Sequence, residues 1–184
     1  MNVQNESKSS EPKPSIGVLG YGSILAPEEL AEIGRKRAQG VMPVRVHGFK
    51  RLFNQEASWR DTDKDKRGVL NVVRDTERWF NAVLVTDLNK REFRAFRERE
   101  RGYALVEVKS ENIEPYDESD ESTIGVNELI LVATGTKTSG EIEPIPSYVR
   151  VCKEGAKQWG EEFYEDFLTS TNGVEETSTE SSMI

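Results

Sequence analysis

Short apolar runs rich in valine, isoleucine and aromatic residues fall at 16–19, 42–47, 69–73, 79–86, 103–108 and 128–134, most bounded by Gly, Asn, Asp or Pro; they predict strands. Helical spacing occupies about 27–37, 90–101 and 147–168. Strands outnumber helices and the order is mixed, which predicts an α+β domain, a small mixed β-barrel or sheet with flanking helices, rather than a doubly wound sheet. The ends have no apolar pattern. Residues 1–14 and the acidic 169–184 are Ser, Thr, Glu, Asn and Pro in the main, too polar to offset the entropy of ordering, so they are expected to be disordered tails around one domain at 15–168. Glu111 to Ser122 carries six acids and no base, and reads as a solvated loop.

Two helices have faces that can be worked out. The one at 90–101 has a start signal: Asn89 can cap it, Glu92 can return a hydrogen bond, and Leu88 can pack on Phe93. At 100° per residue from Phe93, Phe96 falls at about 300°, Glu100 at about 340° and Glu98 at about 140°. Glu100 therefore shares the aromatic stripe and Glu98 faces water, with Gly102 able to end the helix early. The last helix opens after Pro146 and Ser147 and lines up Tyr148, Val151, Cys152, Gly155, Trp159 and Phe163 as a packing stripe. Tyr148 can serve either the core or a substrate, since its hydroxyl needs a partner.

Composition narrows the chemistry. In 184 residues there are one Cys and one His, so an intramolecular disulfide and a Cys-pair zinc motif are excluded, a histidine metal cage has too few ligands, and acid–base work would fall to a carboxylate. No apolar run is long enough to cross a membrane, and the first residues lack the apolar core of a signal peptide, so a cytoplasmic location is expected. The net charge of −8 hides a basic middle: residues 35 to 101 hold 18 of the 25 Lys and Arg against 10 of the 33 acids. Such a band suits an anionic small molecule or phosphates, but Lys and Arg alternate with Asp and Glu through Trp59 to Arg67 and no RNA-binding aromatic motif is present. Nucleic acid is not expected as a partner.

The segment Ile16-Gly-Val-Leu-Gly-Tyr-Gly-Ser-Ile-Leu25 reads as a buried strand, a glycine-containing loop and then a helix. Main-chain N–H groups of such a loop can face a carboxylate or phosphate. Leu25 stands where a dinucleotide fingerprint has its third glycine, there is no Gly-Lys-Ser/Thr, and Ser23 lies in no G-x-S-x-G elbow, so neither a nucleotide nor a serine nucleophile is indicated. A plain strand-to-helix turn is the alternative.

Tyr21-Gly22-Ser23 after an apolar strand, Gly48-Phe-Lys-Arg-Leu-Phe53, Arg99-Glu100 before Gly102-Tyr103, and Tyr148 opening a helix with Gly155-Ala156 together resemble the γ-glutamylcyclotransferase-like superfamily over about 16–168. Gly48 to Gly68, with Arg51, Phe53, Gln55 and Arg60, is most similar to the glutathione-degrading ChaC branch. The spacer from Glu100 to Tyr103 is one residue shorter than in that branch, and Asn81 stands where relatives usually have glycine. The resemblance implies a cofactor-independent enzyme that cyclises a γ-glutamyl amine or peptide, glutathione among the candidates, to 5-oxoproline. It implies Glu100 as the catalytic acid/base, with Glu98 the alternative, and Tyr21, Gly22, Ser23, Ile24, Leu25 and Tyr148 around the substrate, with no metal. A non-catalytic member that binds a metabolite or a protein partner is the other reading. Neither the amine leaving group nor the oligomeric state is legible.

Overall fold

The computed structural model describes residues 13–36, 40–56, 68–135, 142–171 and 174. Its elements are β1 (Ser15–Gly20), α1 (Pro27–Glu32), β2 (Val41–Glu56), β3 (Gly68–Val85), α2 (Lys90–Arg99), β4 (Tyr103–Glu107), β5 (Ile113–Pro115), β6 (Glu128–Gly135), α3 (Pro146–Lys157) and α4 (Glu161–Ser170), with a 3₁₀ turn at Ser23–Leu25. They form an α+β domain on a six-stranded mixed sheet ordered β4-β6-β1-β3-β2-β5. The β1–β6 pair is parallel and the other pairs are antiparallel. The sheet is open, so of the two architectures expected, the sheet is formed and the barrel is not.

Alternation along the central strands sends neighbours to opposite faces. Leu19 and Leu84 enter a core with Cys152, Ala156, Phe163 and Phe167 of α3 and α4, while Val18 and Val85 enter a second core with Leu30 and Phe96 of α1 and α2. Helices thus cover both faces of the strand that leads into the glycine loop.

Several elements differ in extent from the sequence reading. The runs at 69–73 and 79–86 are one strand, β3, whose polar middle from Arg74 to Arg78 continues the backbone path past a bulge where β2 bends at Gly48 (φ +90°). The alternation signal fails there because those side chains are mostly exposed. The single helix expected at 147–168 is two, broken at Gly160, whose φ of +105° only glycine adopts readily. The first helix stops at Glu32, just before Gly34 (φ +87°). The acidic segment expected to be a loop contains the edge strand β5, with Ile113 buried and paired to Val46.

Packing also continues past the expected domain boundary at 168. α4 runs to Ser170, Thr171 bridges to Arg51, and Thr171 and Val174 are each 1% exposed. The tails at 1–12 and 175–184 lie outside the described residues, as does Arg60. The capping box of α2 is formed: Glu92 N–H donates to Asn89 Oδ1 at 2.8 Å and Asn89 N–H to Glu92 Oε1 at 3.0 Å. No described helix is long and apolar enough to cross a membrane.

Candidate active site

Beyond β1 the chain cannot go straight on. A Cβ at Gly20 would strike Ile24, and one at Gly22 would lie 2.6 Å from the Tyr148 hydroxyl, so glycine at both positions lets the loop close tightly over the buried end of α3. The turn then folds on itself, Leu25 N–H donating to the Gly22 carbonyl and Ala26 N–H to that of Ser23, both at 3.0 Å. Those two amides are therefore spent, and the N–H groups of Gly22, Ser23 and Ile24 lie outside these ring closures.

α2 is brought to this loop by Arg99. Its guanidinium donates to Ser23 Oγ at 2.8 Å and to Glu32 Oε2 at 3.0 Å, and it pairs with Glu29, so the end of α2 is tied both to the loop and to α1. The last helical bond joins Glu100 N–H to Phe96 O at 3.0 Å, and Gly102 (φ +88°) turns the chain into β4. Phe96 is buried as the wheel predicts, which carries Glu100 inward with it.

The result is a cavity of about 660 Å³ walled by residues 19–24, Leu70, Arg99, Glu100, Tyr103 and Tyr148. Glu100 and the glycine loop share it. The Glu100 side chain is 20% exposed, with Arg99 Nε 3.9 Å from Oε1. Burial pushes its carboxyl up to about 7, against a smaller downward pull from Arg99. Glu98 reaches the same cavity only from the exposed rim of α2.

The other expected site residues divide. Gly22, Ser23 and Ile24 line the cavity. Tyr21 does so too, but its hydroxyl is held by the Ala133 carbonyl at 2.6 Å. Leu25 does not: it is fully buried beneath α3, and its carbonyl accepts the Trp159 indole N–H at 2.9 Å, because the 3₁₀ turn rotates it away from the loop's open side. Tyr148 takes both of its possible roles, 5% exposed in the core against Phe53 while its hydroxyl accepts Leu70 N–H at 3.3 Å on the cavity wall. Burial drives the phenols of Tyr148 and Tyr103 far above their usual range, with the charge of Glu100 adding to the effect on Tyr103. Both stay protonated, so each hydroxyl keeps a proton to donate.

Sequence reasoning did not place Tyr103, Arg99 or Gln55 at the site. Tyr103 donates to the Leu70 carbonyl at 3.0 Å and lines the cavity with Glu100. Gln55 is buried, and its Oε1 has no hydrogen-bond partner among the described residues. The one available signal was position: Arg99 and Tyr103 flank Glu100 in the motif that carried the resemblance.

Asn81, the departure from that pattern, has a structural task. Its Oδ1 accepts from Arg51 at 2.6 Å and its Nδ2 donates to the Phe163 carbonyl at 2.7 Å, tying β3 to α4 through two hydrogen bonds that glycine could not make. Four arginines of the basic middle are engaged within the fold, while Arg74, Arg78, Arg91, Arg94, Arg97 and Arg101 are exposed. Arg35 pairs with Glu92, Arg45 with Asp166 and Glu162, Arg99 with Glu29 and Glu32, and Arg51 is buried. Among the described residues no group of three or more His, Cys, Asp or Glu is placed to hold a metal ion.

The contact between Gly22 and Tyr148 can be tested directly. Gly22→Ala is expected to destabilise the fold by about 1–3 kcal/mol through overpacking, and Tyr148→Phe to recover part of that loss by removing the opposing oxygen. Urea unfolding of the two single variants and the double variant measures the coupling, expected at about 1 kcal/mol. Additive losses would mean that the loop and the hydroxyl do not press on one another.

No protein-family model matches the sequence, and no curated protein matches it either. Solved structures do. A γ-glutamyl cyclotransferase superposes with a TM-score of 0.59 at 20% identity, covering 83% of this chain and 86% of that one. A human protein described as uncharacterized gives 0.58 at 19% identity, covering 85% and 87%. A yeast γ-glutamyl cyclotransferase specific to glutathione gives 0.54 at 14% identity, covering 89% and 98%. At such identities the likeness is one of architecture, and on that ground the chain has the fold of the γ-glutamyl cyclotransferase-like superfamily.

Proposed function

We propose that this protein cyclises a γ-glutamyl amine or peptide to 5-oxoproline and releases the amine, with Glu100 as general acid/base. The observation that carries this reading is the shared cavity: a carboxyl with its pKa raised to about 7 stands across from a loop of main-chain donors. Glutathione belongs to the candidate substrates because one structural neighbour is described as specific to it.

The reaction asks little of the protein beyond orientation and a proton shuttle. The substrate's α-amino nitrogen attacks its own γ-carbonyl carbon, the new C–N bond closes a five-membered lactam, and the bond from that carbon to the leaving nitrogen breaks. Both reactants belong to one molecule, so holding the reactive conformer can be worth on the order of 7–11 kcal/mol. The α-ammonium must first lose a proton, which the Glu100 carboxylate accepts and later delivers to the leaving nitrogen. A group that titrates near neutrality does both, because it is neither too weak a base nor too weak an acid. Amides of residues 22–24 hold the substrate's α-carboxylate or the oxyanion that develops on the γ-carbonyl. Tyr103, donating to the Leu70 carbonyl, and Tyr148, accepting the Leu70 N–H, hold the wall in shape.

Release of 5-oxoproline from glutathione, γ-glutamyl dipeptides and γ-glutamyl amines tests the proposal. Saturable binding with no release from any of them would make the protein a binder. The pH profile gives a second test. Glu100 works as the base only when ionised, so kcat/KM is expected to rise with pH through about 7 and level off above it. An acid limb near 4.5, the ordinary carboxylate value, would point away from the buried Glu100.

A further inference from the structure

Arg51 is the largest fully buried side chain, at 1% exposure, and it sits directly behind the cavity loop. Nη1 donates to the Tyr21 carbonyl at 3.0 Å and to the Asn81 carbonyl at 2.6 Å. Nη2 donates to Asn81 Oδ1 at 2.6 Å and to Ser170 Oγ at 2.9 Å, and Nε to Thr171 Oγ1 at 2.6 Å. The guanidinium also lies over the Phe167 ring, 4.3 Å from its centroid. All its acceptors among the described residues are neutral. Burial lowers its pKa to about 9, so at neutral pH the charge remains.

A buried cation without a carboxylate partner among the described residues is costly to desolvate, and here neutral acceptors satisfy its donors, the Tyr21 carbonyl among them. The peptide joining Tyr21 to Gly22 is trans and planar, so its N–H points away from its C=O. With the carbonyl turned back onto Arg51, the Gly22 N–H is directed to the other side of the loop, where Gly22 lines the cavity. A hydrogen bond to the oxygen of an amide strengthens the donor at its nitrogen, and a charged donor does so most.

We infer that Arg51 is a positioning residue for anion binding: through the Tyr21–Gly22 peptide it orients and polarises the Gly22 N–H toward a carboxylate in the cavity. The inference rests on the reading that this cavity receives the α-carboxylate of a γ-glutamyl substrate. It also gives the end of α4 a part in the site, since Ser170 and Thr171 hold the same guanidinium in place.

The test uses the full chain and two ligands that are not turned over, 5-oxoproline and its neutral carboxamide, titrated calorimetrically. Wild-type protein is expected to prefer the carboxylate. Arg51→Lys keeps a charge but not the planar fork that reaches Tyr21 and Asn81 together, and is expected to weaken 5-oxoproline binding about tenfold while changing carboxamide binding less than about twofold. Equal loss for both ligands, or an unchanged preference in a folded variant, would overturn the inference, as would a wild-type protein that does not bind 5-oxoproline. If Arg51→Lys does not fold, the amide proton of Gly22 in the wild type decides. It should move downfield with 5-oxoproline and little with the carboxamide, and a resonance indifferent to the carboxylate would refute the role. Turnover is read separately: carboxylate preference lost in Arg51→Lys with no 5-oxoproline release from any γ-glutamyl substrate would remove the enzyme and keep Arg51, and release with the preference intact would do the opposite.

Discussion

Glu100→Gln is expected to abolish 5-oxoproline release while making the protein more stable above neutral pH. Glutamine keeps the size and loses the proton, so the loss should reach at least the roughly 10² to 10⁴ that a positioned acid/base contributes. The stability gain follows from the same burial. A carboxyl whose pKa is about 7 when folded and near 4.5 when unfolded binds its proton more tightly in the folded state, so ionising it costs folding free energy. Below about 4.5 both states are protonated and the cost vanishes; it grows as pH rises and is complete above about 7. The ceiling is about 3 kcal/mol, reduced to about 1–2 kcal/mol by water in the open cleft. Urea unfolding of wild type and variant across pH 5 to 8.5 should therefore show a difference that widens with pH. Glu98→Gln should keep most activity. Equal loss of turnover in both variants, or in neither, would remove Glu100 from its role.

Gly155→Ala is expected to destabilise the domain by about 2–3 kcal/mol and to weaken substrate binding with it. A Cβ there would stand 2.6 Å from the Ala26 nitrogen, 2.8 Å from the Leu25 carbonyl carbon and 3.0 Å from the Ala26 Cα. All three are backbone atoms, so no side chain can swing aside. α3 would have to lift from the 3₁₀ turn, taking Tyr148 from beneath Gly22 and straining the Trp159 bond to the Leu25 carbonyl. A Tm within a degree or two of wild type, with unchanged ligand affinity, would show that the helix can shift without disturbing the loop.

Periodicity made much of this legible. The stripe of Phe93, Phe96 and Glu100 follows from 3.6 residues per turn, and the capping residues Asn89 and Glu92 fix where that count begins. The hydrophobic runs located every major strand, since a buried strand needs apolar side chains whatever its partners are. What they could not give is continuity. Arg74 to Arg78 lies in the same strand as the runs on either side, but an exposed, polar stretch of strand and a polar loop have the same composition. The break at Gly160 was hidden for a related reason: one apolar stripe can serve two helices that meet at a corner, and only the positive φ separates them. Ile113 in the acidic segment was too brief a signal to stand out from its six acidic neighbours.

The loop and the carboxylate were recognisable as motifs, yet neither is a site alone. From the amino acids themselves came the helical phase that turns Glu100 inward, the glycines that permit a tight loop after β1, and a composition that leaves proton transfer to a carboxylate. Tertiary structure alone supplied their meeting: Arg99 clasping Ser23 to the end of α2, Tyr148 rising under Gly22, and Arg51 buried behind Tyr21. Those contacts join residues 30, 76 and 126 positions apart, and no local pattern encodes which distant partner a side chain will find. Packing of helices on both faces of one sheet decides it, because that packing sets which groups are brought within reach and which are cut off from water.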